Sequence, residues 1–206
     1  MTEEHLQALK ERFTDYDRKA VFGENVYFRF FKKFKKTYLA VVRGVPQERR
    51  GRMEDILLRS KEQRKTFVVN KPCRGSQEAV LDYRLLGSNG ELSMVEINLI
   101  TGRTHQIRAQ MAHAGWPLLG DELYGGPMEE FSRQALHCAG VAFTHPITGE
   151  QLCLTAPLPG DMAGLLEGKG IDWAPVLAPF VEELLTVKPT TVEEITERYR
   201  KPKRRK

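Results

Sequence analysis

Residues 101–121 concentrate side chains that could bind an anionic ligand and form directional hydrogen bonds with it. The segment from Thr101 to Arg108 reads Thr-Gly-Arg-Thr-His-Gln-Ile-Arg, so two arginines, a histidine and a glutamine surround the start of a predicted helix. Arginine stays charged at physiological pH, and the free N–H groups at a helix start also favour anions. The sequence therefore predicts an anion site here, whereas the alternative is a solvated helix start with surface arginines.

The spacing of histidine and cysteine does not indicate a metal site or a disulfide framework. The histidines from His105 onward do not follow the spacing of zinc ligands, and the three cysteines include no Cys-x-x-Cys pair. We therefore expect no metal, and free thiols in a reducing compartment. The chain has no run of about 18 apolar residues and no signal-peptide pattern, so we expect it to be cytoplasmic with no membrane contact.

Basic residues are concentrated in two other stretches. The chain carries 32 Lys and Arg against 27 Asp and Glu, a net charge of +5, which permits a polyanionic partner without proving one. Four lysines alternate with phenylalanines at 30–36, just before Tyr38, and residues 198–206 are mostly basic. Tyr38 could stack on a nucleobase, or it could be a strand-end tyrosine with a wet hydroxyl. The tail could contact nucleic acid or be only a solubilising tail.

Apolar patterning predicts a sheet built from hairpins. The run 38–42 favours a strand buried on both faces, and 79–86 with 92–100 predicts a hairpin around a Gly-Ser-Asn-Gly turn. A helix from about Thr104 to Ala114 follows, ended by a Gly-Trp-Pro stop. Two further strands, at 136–143 and 151–155, predict a second hairpin.

The remaining segments give less distinct patterns. The charged stretch 46–65 indicates a surface excursion, and 157–170 indicates a Pro- and Gly-rich connection. Helical spacing is present at 3–13, 176–187 and 191–199. Hairpins with helices between them predict an α+β fold, with a mixed, mainly antiparallel sheet and flanking helices.

The order of these motifs closely resembles the RluA-type family of RNA pseudouridine synthases. The family's Lys-x-Tyr-x-Ala element matches residues 36–40, and its Thr-Gly-Arg-x-His-Gln-Ile-Arg element matches 101–108 throughout. A Gly-x-Pro-x-x-Gly-Asp continuation matches 115–121, and a Leu-His…His-Pro…Gly hairpin matches 136–149. The resemblance covers about Lys35 to Pro159 and implies the pseudouridine synthase fold.

The resemblance implies an isomerase that modifies RNA. Members flip a uridine out of the RNA, detach the uracil from C1′, rotate it and rejoin it through C5, without a metal or nucleotide cofactor. By analogy, Tyr38 packs against the flipped uracil and Arg108 pairs with the catalytic aspartate. The partner is expected to be ribosomal or transfer RNA, and the chain is expected to be a monomer. The residues expected to bind RNA are Lys35, Lys36, Arg103, His105 and Gln106.

One part of the family pattern is not found. Members carry the catalytic aspartate in a His-Arg-Leu-Asp-Arg-x-x-Ser-Gly block before the Lys-x-Tyr element, and strands precede that block; neither is recognisable here. Asp17-Arg18 matches the Asp-Arg pair of this block, but the His-Arg-Leu before it and the Ser-Gly after it are absent. The chain is therefore a truncated or split product, a degenerate paralogue, or a protein whose aspartate comes from elsewhere. We expect weak or no isomerase activity from the 206 residues alone.

Three classes of function compete on these observations. The first is a pseudouridine synthase catalytic domain, and the second is a non-catalytic RNA-binding protein derived from the same fold. The third, a small-molecule phosphate enzyme using Arg103 and Arg108, lacks a glycine-rich phosphate loop. The expected organisation is an N-terminal helix and polar segment at 1–34, the synthase-like domain at 35–159, and a helical extension with a basic tail at 160–206.

Overall fold

A computed structural model of the chain describes residues 35–144 and 151–172. In these residues, seven strands form one antiparallel sheet in the order β3-β2-β4-β5-β1-β6-β7. The helices are α1 (Gln106–His113) and α2 (Gly160–Gly168), and a 3-10 turn spans Glu122–Tyr124. The strands are β1 (Lys35–Arg43), β2 (Arg50–Ser60), β3 (Lys65–Val69), β4 (Gln77–Ser88), β5 (Leu92–Leu99), β6 (Leu136–Thr144) and β7 (Gln151–Thr155).

The predicted α+β class and the predicted hairpins are confirmed. The β4–β5 and β6–β7 hairpins lie where the alternating apolar runs placed them, and β1 lies between β5 and β6 in the middle of the sheet. Ala40, Val41 and Val42 have no exposed surface, which confirms a strand buried on both faces. A continuous run of branched apolar residues fits this position because neither face of the strand meets water.

Each face of the sheet carries its own apolar core. Because successive side chains of a strand point to opposite faces, Ala40 and Val42 lie on one face and Leu39 and Val41 on the other. Ile107 and Met111 of α1 pack on the first face. On the second face, α2 packs through Met162 and Leu166, and Phe131 and Leu158 complete the core. Helix α1, which carries the predicted anion site, is thereby fixed to one face.

The prediction of a surface excursion at 46–65 is wrong, because these residues form β2 and the turn into β3. The exposure of β2 alternates along its length, with Arg52 and Glu54 outward and Met53 and Asp55 partly covered. Charged side chains on the outward positions conceal the period of two. The β2–β3 hairpin forms one side of the sheet and leaves β3 at its edge.

The predicted connection at 157–170 is also wrong over most of its length. Residues 160–168 form α2, whose Met162 and Leu166 are one helical turn apart and fully buried against the sheet. Glycines at both ends and in the middle of the segment lower its helix propensity, so packing decides its structure. The apolar core of the sheet therefore includes residues of α2 and Ile171, which lie in the segment 160–206 expected to be a helical extension.

Several expectations lie outside the described residues. They are the helices at 3–13, 176–187 and 191–199, the Asp17-Arg18 pair, His145 and the basic tail. Among the described helices, none is long and apolar enough to cross a membrane.

Candidate functional site

A side chain inside the protein shapes the loop that leads into α1. Gln106 is 2% exposed, and its Oε1 accepts hydrogen bonds from Thr101 Oγ1 (2.9 Å) and the Arg103 N–H (3.0 Å). Its Nε2 donates to the carbonyl of Val80 in β4 (3.0 Å). The amide thus ties the Thr-Gly-Arg loop to the sheet. An RNA contact, the role expected for Gln106, does not match this buried environment.

The start of α1 differs from the prediction by a small shift. The helix begins at Gln106 rather than Thr104, because His105 adopts a left-handed backbone with φ 55°. Non-glycine residues rarely adopt this conformation. Because it is not a right-handed helical conformation, the regular helix cannot include His105 and starts at the next residue. The imidazole is thereby aimed back across the first turn towards Arg108.

Arg108 forms an ion pair with Asp121. Its Nε donates to Oδ2 at 2.7 Å and its Nη2 to Oδ1 at 2.6 Å, a bidentate arrangement. The Asp121 side chain is 1% exposed and the Arg108 side chain 15% exposed. The hydrogen bond to Asp121 raises the pKa of Arg108. Asp121 is therefore the partner of Arg108 within the described residues. The expected pairing of Arg108 with a catalytic aspartate stays a prediction.

His105 connects Arg108 to Tyr124. Arg108 Nη1 lies 3.3 Å from His105 Nε2, and His105 Nδ1 lies 3.1 Å from Tyr124 Oη. A guanidinium can only donate, so Nε2 must be the acceptor, and a neutral ring then carries its proton on Nδ1 and donates to Tyr124. Burial, followed by the charges of Arg108 and Arg59, lowers the pKa of His105, with Asp121 opposing them. The neutral tautomer is the form that satisfies both contacts.

Tyr124 lies between the start of α1 and the edge strand. Its hydroxyl accepts the Thr66 N–H at 2.8 Å, and Thr66 Oγ1 donates to the carbonyl of Thr104 at 2.9 Å. Two cations contact its ring: Arg108 Cζ lies 4.9 Å and Lys65 Nζ 5.0 Å from the ring centroid. In such cation–π contacts the ring face attracts both charged groups and stabilises the cluster. Strand β3, the 3-10 turn and α1 thus meet at this tyrosine.

Tyr38 lies on the same face of the sheet as α1. It packs against the apolar cluster that contains Ile107, and it is opposite Cys138 on β6. The pairing of β1 and β6 shifts register between Thr37 and Tyr38, and bulges of this kind reorient side chains. Burial, and then Cys138, raises the pKa of Tyr38, which therefore stays a neutral phenol. In the described residues, the polar network around Arg108 does not include Tyr38.

The other residues expected to contact RNA differ in the exposure of their side chains and in their hydrogen bonds within the protein. Lys35 and Lys36 begin β1 and are both exposed. Arg103 is partly buried, and its Nε donates to the carbonyl of Glu78 at 2.9 Å, so the side chain is anchored along β4. In the described part of the chain, no group of three or more His, Cys, Asp or Glu side chains could hold a metal ion.

Sequence reasoning missed the residues that complete the cluster: Asp121, Tyr124, Thr66 and Lys65. Asp121 is the last residue of the Gly-x-Pro-x-x-Gly-Asp continuation, and Tyr124 follows three residues later. The sequence alone assigns a role to neither residue. Thr66 and Lys65 could not have been found, because their strand was not predicted. Only the tertiary fold brings β3 beside α1.

Comparison with known proteins relates this site to one family. Residues 25–113 match the family model described as RNA pseudouridylate synthase. An uncharacterized RNA pseudouridine synthase of Chlorobaculum parvum is 38% identical over 155 residues, covering 66% of this chain and 47% of the relative. The ribosomal large subunit pseudouridine synthase D of Haemophilus influenzae is 34% identical over 156 residues, covering 69% of this chain and 47% of the relative. The chain spans about half the length of these curated relatives.

Two solved structures share the fold. Human RNA pseudouridylate synthase domain containing 4 aligns with a TM-score of 0.58 at 22% identity, over 72% of this chain and 67% of that one. Human RNA pseudouridylate synthase domain containing 1 aligns with a TM-score of 0.55 at 25% identity, over 69% of each chain. The matched region includes Tyr38 and the whole of α1. The chain therefore belongs to the RNA pseudouridylate synthase family, in agreement with the RluA-type motifs of its sequence.

Proposed function

We propose that this chain acts in the isomerisation of uridine to pseudouridine in structured RNA, on a uridine flipped out of its stack. The observation that carries the proposal is that two motifs far apart in sequence, at 36–40 and 101–108, pack on one face of the sheet and share one apolar cluster. A flipped base needs a partly apolar surface of this kind, because it has lost its neighbours in the RNA.

In this proposal Tyr38 contacts the uracil as a flat, neutral surface. The raised pKa keeps its hydroxyl protonated, so the ring acts by stacking and not as a base at neutral pH. Partial exposure leaves ring surface available beside the apolar cluster. A phenylalanine should therefore replace Tyr38 better than an alanine does.

Arg108 supplies fixed positive charge beside this surface. Asp121 and His105 use one N–H on each of its three nitrogens, and each terminal nitrogen carries a second hydrogen. We propose that these remaining N–H groups face the reacting uridine and the catalytic aspartate. Lys35, Lys36 and Arg103 then lie near the RNA backbone, where their positive charge supports binding. The neutral His105 lies near the same backbone.

The nucleophile is the part of the reaction that this cluster does not supply. Asp121 is engaged by Arg108 at both oxygens and is 1% exposed, so it is not available to attack a sugar carbon. We propose that an aspartate in a segment equivalent to the family's His-Arg-Leu-Asp block completes the site. One relative acts, by its name, on the ribosomal large subunit, and we propose ribosomal RNA as the substrate class. We further propose a cytoplasmic monomer that needs no cofactor.

A tritium-release assay on RNA labelled at C5 of uridine tests the proposal. The 206-residue chain alone should release little tritium, because removing one member of a catalytic unit removes most of the rate. The same chain extended at its N-terminus by the corresponding segment of the Chlorobaculum relative should release tritium. In the extended protein Tyr38→Ala should abolish release, Tyr38→Phe should retain part of it, and exposed Lys71→Ala should not change it.

Two outcomes would contradict the proposal in different ways. Rapid release by the 206-residue chain alone would show that the chain has its own nucleophile, and the role given to the added segment would then be wrong. No release by a folded, RNA-binding extended protein would contradict the isomerase function and leave RNA binding as the activity.

A further inference from the structure

We propose that Lys65, on the β2–β3 hairpin, binds a phosphate of the RNA strand beside His105, and that Arg59 of the same hairpin adds positive charge to this site. The inference rests on the proposed function and extends it to a part of the sheet that the sequence motifs do not include. Arg59 is the last residue but one of β2 and Lys65 begins β3, and Arg59 pairs in register with Thr66. The site is therefore at the edge of the sheet, next to the start of α1.

Lys65 is a positioned cation with no acidic partner in the described residues. Its Nζ lies 5.0 Å from the Tyr124 ring centroid and 5.7 Å from the Phe67 ring centroid. Two aromatic contacts restrict the flexible stem, so less conformational entropy remains to be lost when an anion binds. No described carboxylate lies within ion-pair distance of this ammonium, and its charge is left for an external anion.

The second cation on the Tyr124 ring, Arg108, has an acidic partner, unlike Lys65. Arg108 is paired at both oxygens of Asp121, whereas Lys65 shares the same ring and has no such partner. Asp121 is buried and fully used by Arg108, so it cannot also neutralise Lys65. The cluster therefore carries uncompensated positive charge on the side of β3.

Arg59 adds to this positive field. It is exposed, and no ion pair holds its guanidinium within the described part of the chain. Its charge reaches His105, where it acts with Arg108 to lower the pKa of the imidazole. Arg59 pairs in register with Thr66, and Lys65 is the neighbour of Thr66 along β3. Lys65 is therefore the cation that would contact the phosphate, and Arg59 adds positive charge nearby.

RNA is the ligand class that this position favours. The cluster borders His105 and the loop of the Thr-Gly-Arg motif, through which Thr66 is joined to Thr104. A strand whose uridine enters beside α1 must carry flanking phosphates on to the neighbouring surface. The β2–β3 hairpin would bind one of those phosphates and fix the direction of the strand.

Fluorescence anisotropy tests the site. The Kd of the full chain for a labelled hairpin RNA with uridines in its loop is measured over a series of KCl concentrations. The variants are Lys65→Met, which keeps the apolar stem, Lys65→Arg, which keeps the charge, and Arg59→Gln. The matched control is Lys71→Met, an exposed lysine beyond the other end of β3. Thermal unfolding of every variant is measured in parallel.

We expect Lys65→Met and Arg59→Gln each to raise the Kd several-fold and to reduce the salt slope by about 0.7 to 1. Lys65→Arg should keep the slope, and Lys71→Met should bind as the unaltered chain does. An unchanged slope in Lys65→Met, with or without a lower Tm, would overturn the site while leaving the proposed function intact. If the unaltered chain shows no salt-dependent binding to this RNA, the site fails, whereas the proposed function is decided by tritium release from the extended protein.

Discussion

Asp121 fixes the guanidinium of Arg108 through both of its carboxylate oxygens, at 2.7 Å from Nε and 2.6 Å from Nη2. The two residues are 13 positions apart, and the pair is largely inside the protein. A bidentate pair restricts the rotation of the guanidinium as well as its position. The orientation of the most important cation in the site is therefore set by a residue of the loop that follows α1.

Replacing Asp121 by Asn should leave a buried guanidinium without its counter-charge. We expect Asp121→Asn to lower the free energy of unfolding by about 3 kcal/mol, measured by urea titration. Asp82→Asn is the matched control, because its partner Arg52 is 55% exposed and solvent screens that pair, so the loss of stability should be much smaller. Equal losses in the two variants would contradict the buried character assigned to the Arg108 pair.

His105 should make the stability of the chain depend on pH. Burial and the neighbouring cations lower its pKa in the folded state, so the unfolded state binds the proton more readily. The contribution to stability is therefore complete above the unfolded value of about 6.5 and is lost as the pH falls through the folded-state pKa. His105→Gln should flatten the dependence of the unfolding free energy between about pH 7.5 and pH 5. His113→Gln, on the exposed end of α1, should retain it.

The hydroxyl of Tyr124 should protect the backbone of the edge strand. Tyr124→Phe removes the acceptor of the Thr66 N–H and the partner of His105 Nδ1, and we expect a loss of about 1 to 2 kcal/mol. Hydrogen exchange of the Thr66 amide should become faster, more than that of the other β3 amides. The control is Tyr83→Phe, because the hydroxyl of Tyr83 has no hydrogen bond to the described residues. This variant should change neither the free energy of unfolding nor the exchange rate of the Thr66 amide. Unaltered protection of Thr66 would contradict the assignment.

The part of the fold that could be predicted from sequence is the part where apolar periodicity is clear. Met94 and Val95 alternate between two faces in β5, and Ile107 and Met111 form the inner stripe of α1. The β2–β3 hairpin was hidden because its outward positions carry arginine and glutamate. A period of two is difficult to recognise when the inward positions of β2 include a carboxylate such as Asp55, which accepts a hydrogen bond from Gln110.

The candidate site was predictable in its residue types but not in its partners. The sequence motif indicated that Arg108 and His105 belong together, since they are one helical turn apart. The left-handed backbone of His105 could not be predicted, because non-glycine residues seldom adopt it. The partner of Arg108 depends on how the loop 114–121 folds back, and this is determined by the burial of Leu118 and Leu119.

That folded-back loop depends on Gly120, and this gives the last prediction. Gly120 has φ +72°, and a Cβ added there would overlap the backbone carbonyl of Arg133. Gly115 has a similar φ of +88° but open space around the added Cβ. The two positions therefore share the cost of a left-handed backbone and differ in the steric clash.

We expect Gly115→Ala to lower the free energy of unfolding by about 1 kcal/mol, the cost of the conformation alone. Gly120→Ala should lower it by about 3 kcal/mol, because backbone atoms of the core must also move. As Asp121 is the next residue, Gly120→Ala should displace the carboxylate from Arg108 as well. The ¹⁵Nε signal of Arg108 should therefore shift in Gly120→Ala and stay in place in Gly115→Ala. A similar loss of stability in both variants would mean that the loop yields to the added methyl group, and that Gly120 is not what holds Asp121 against Arg108.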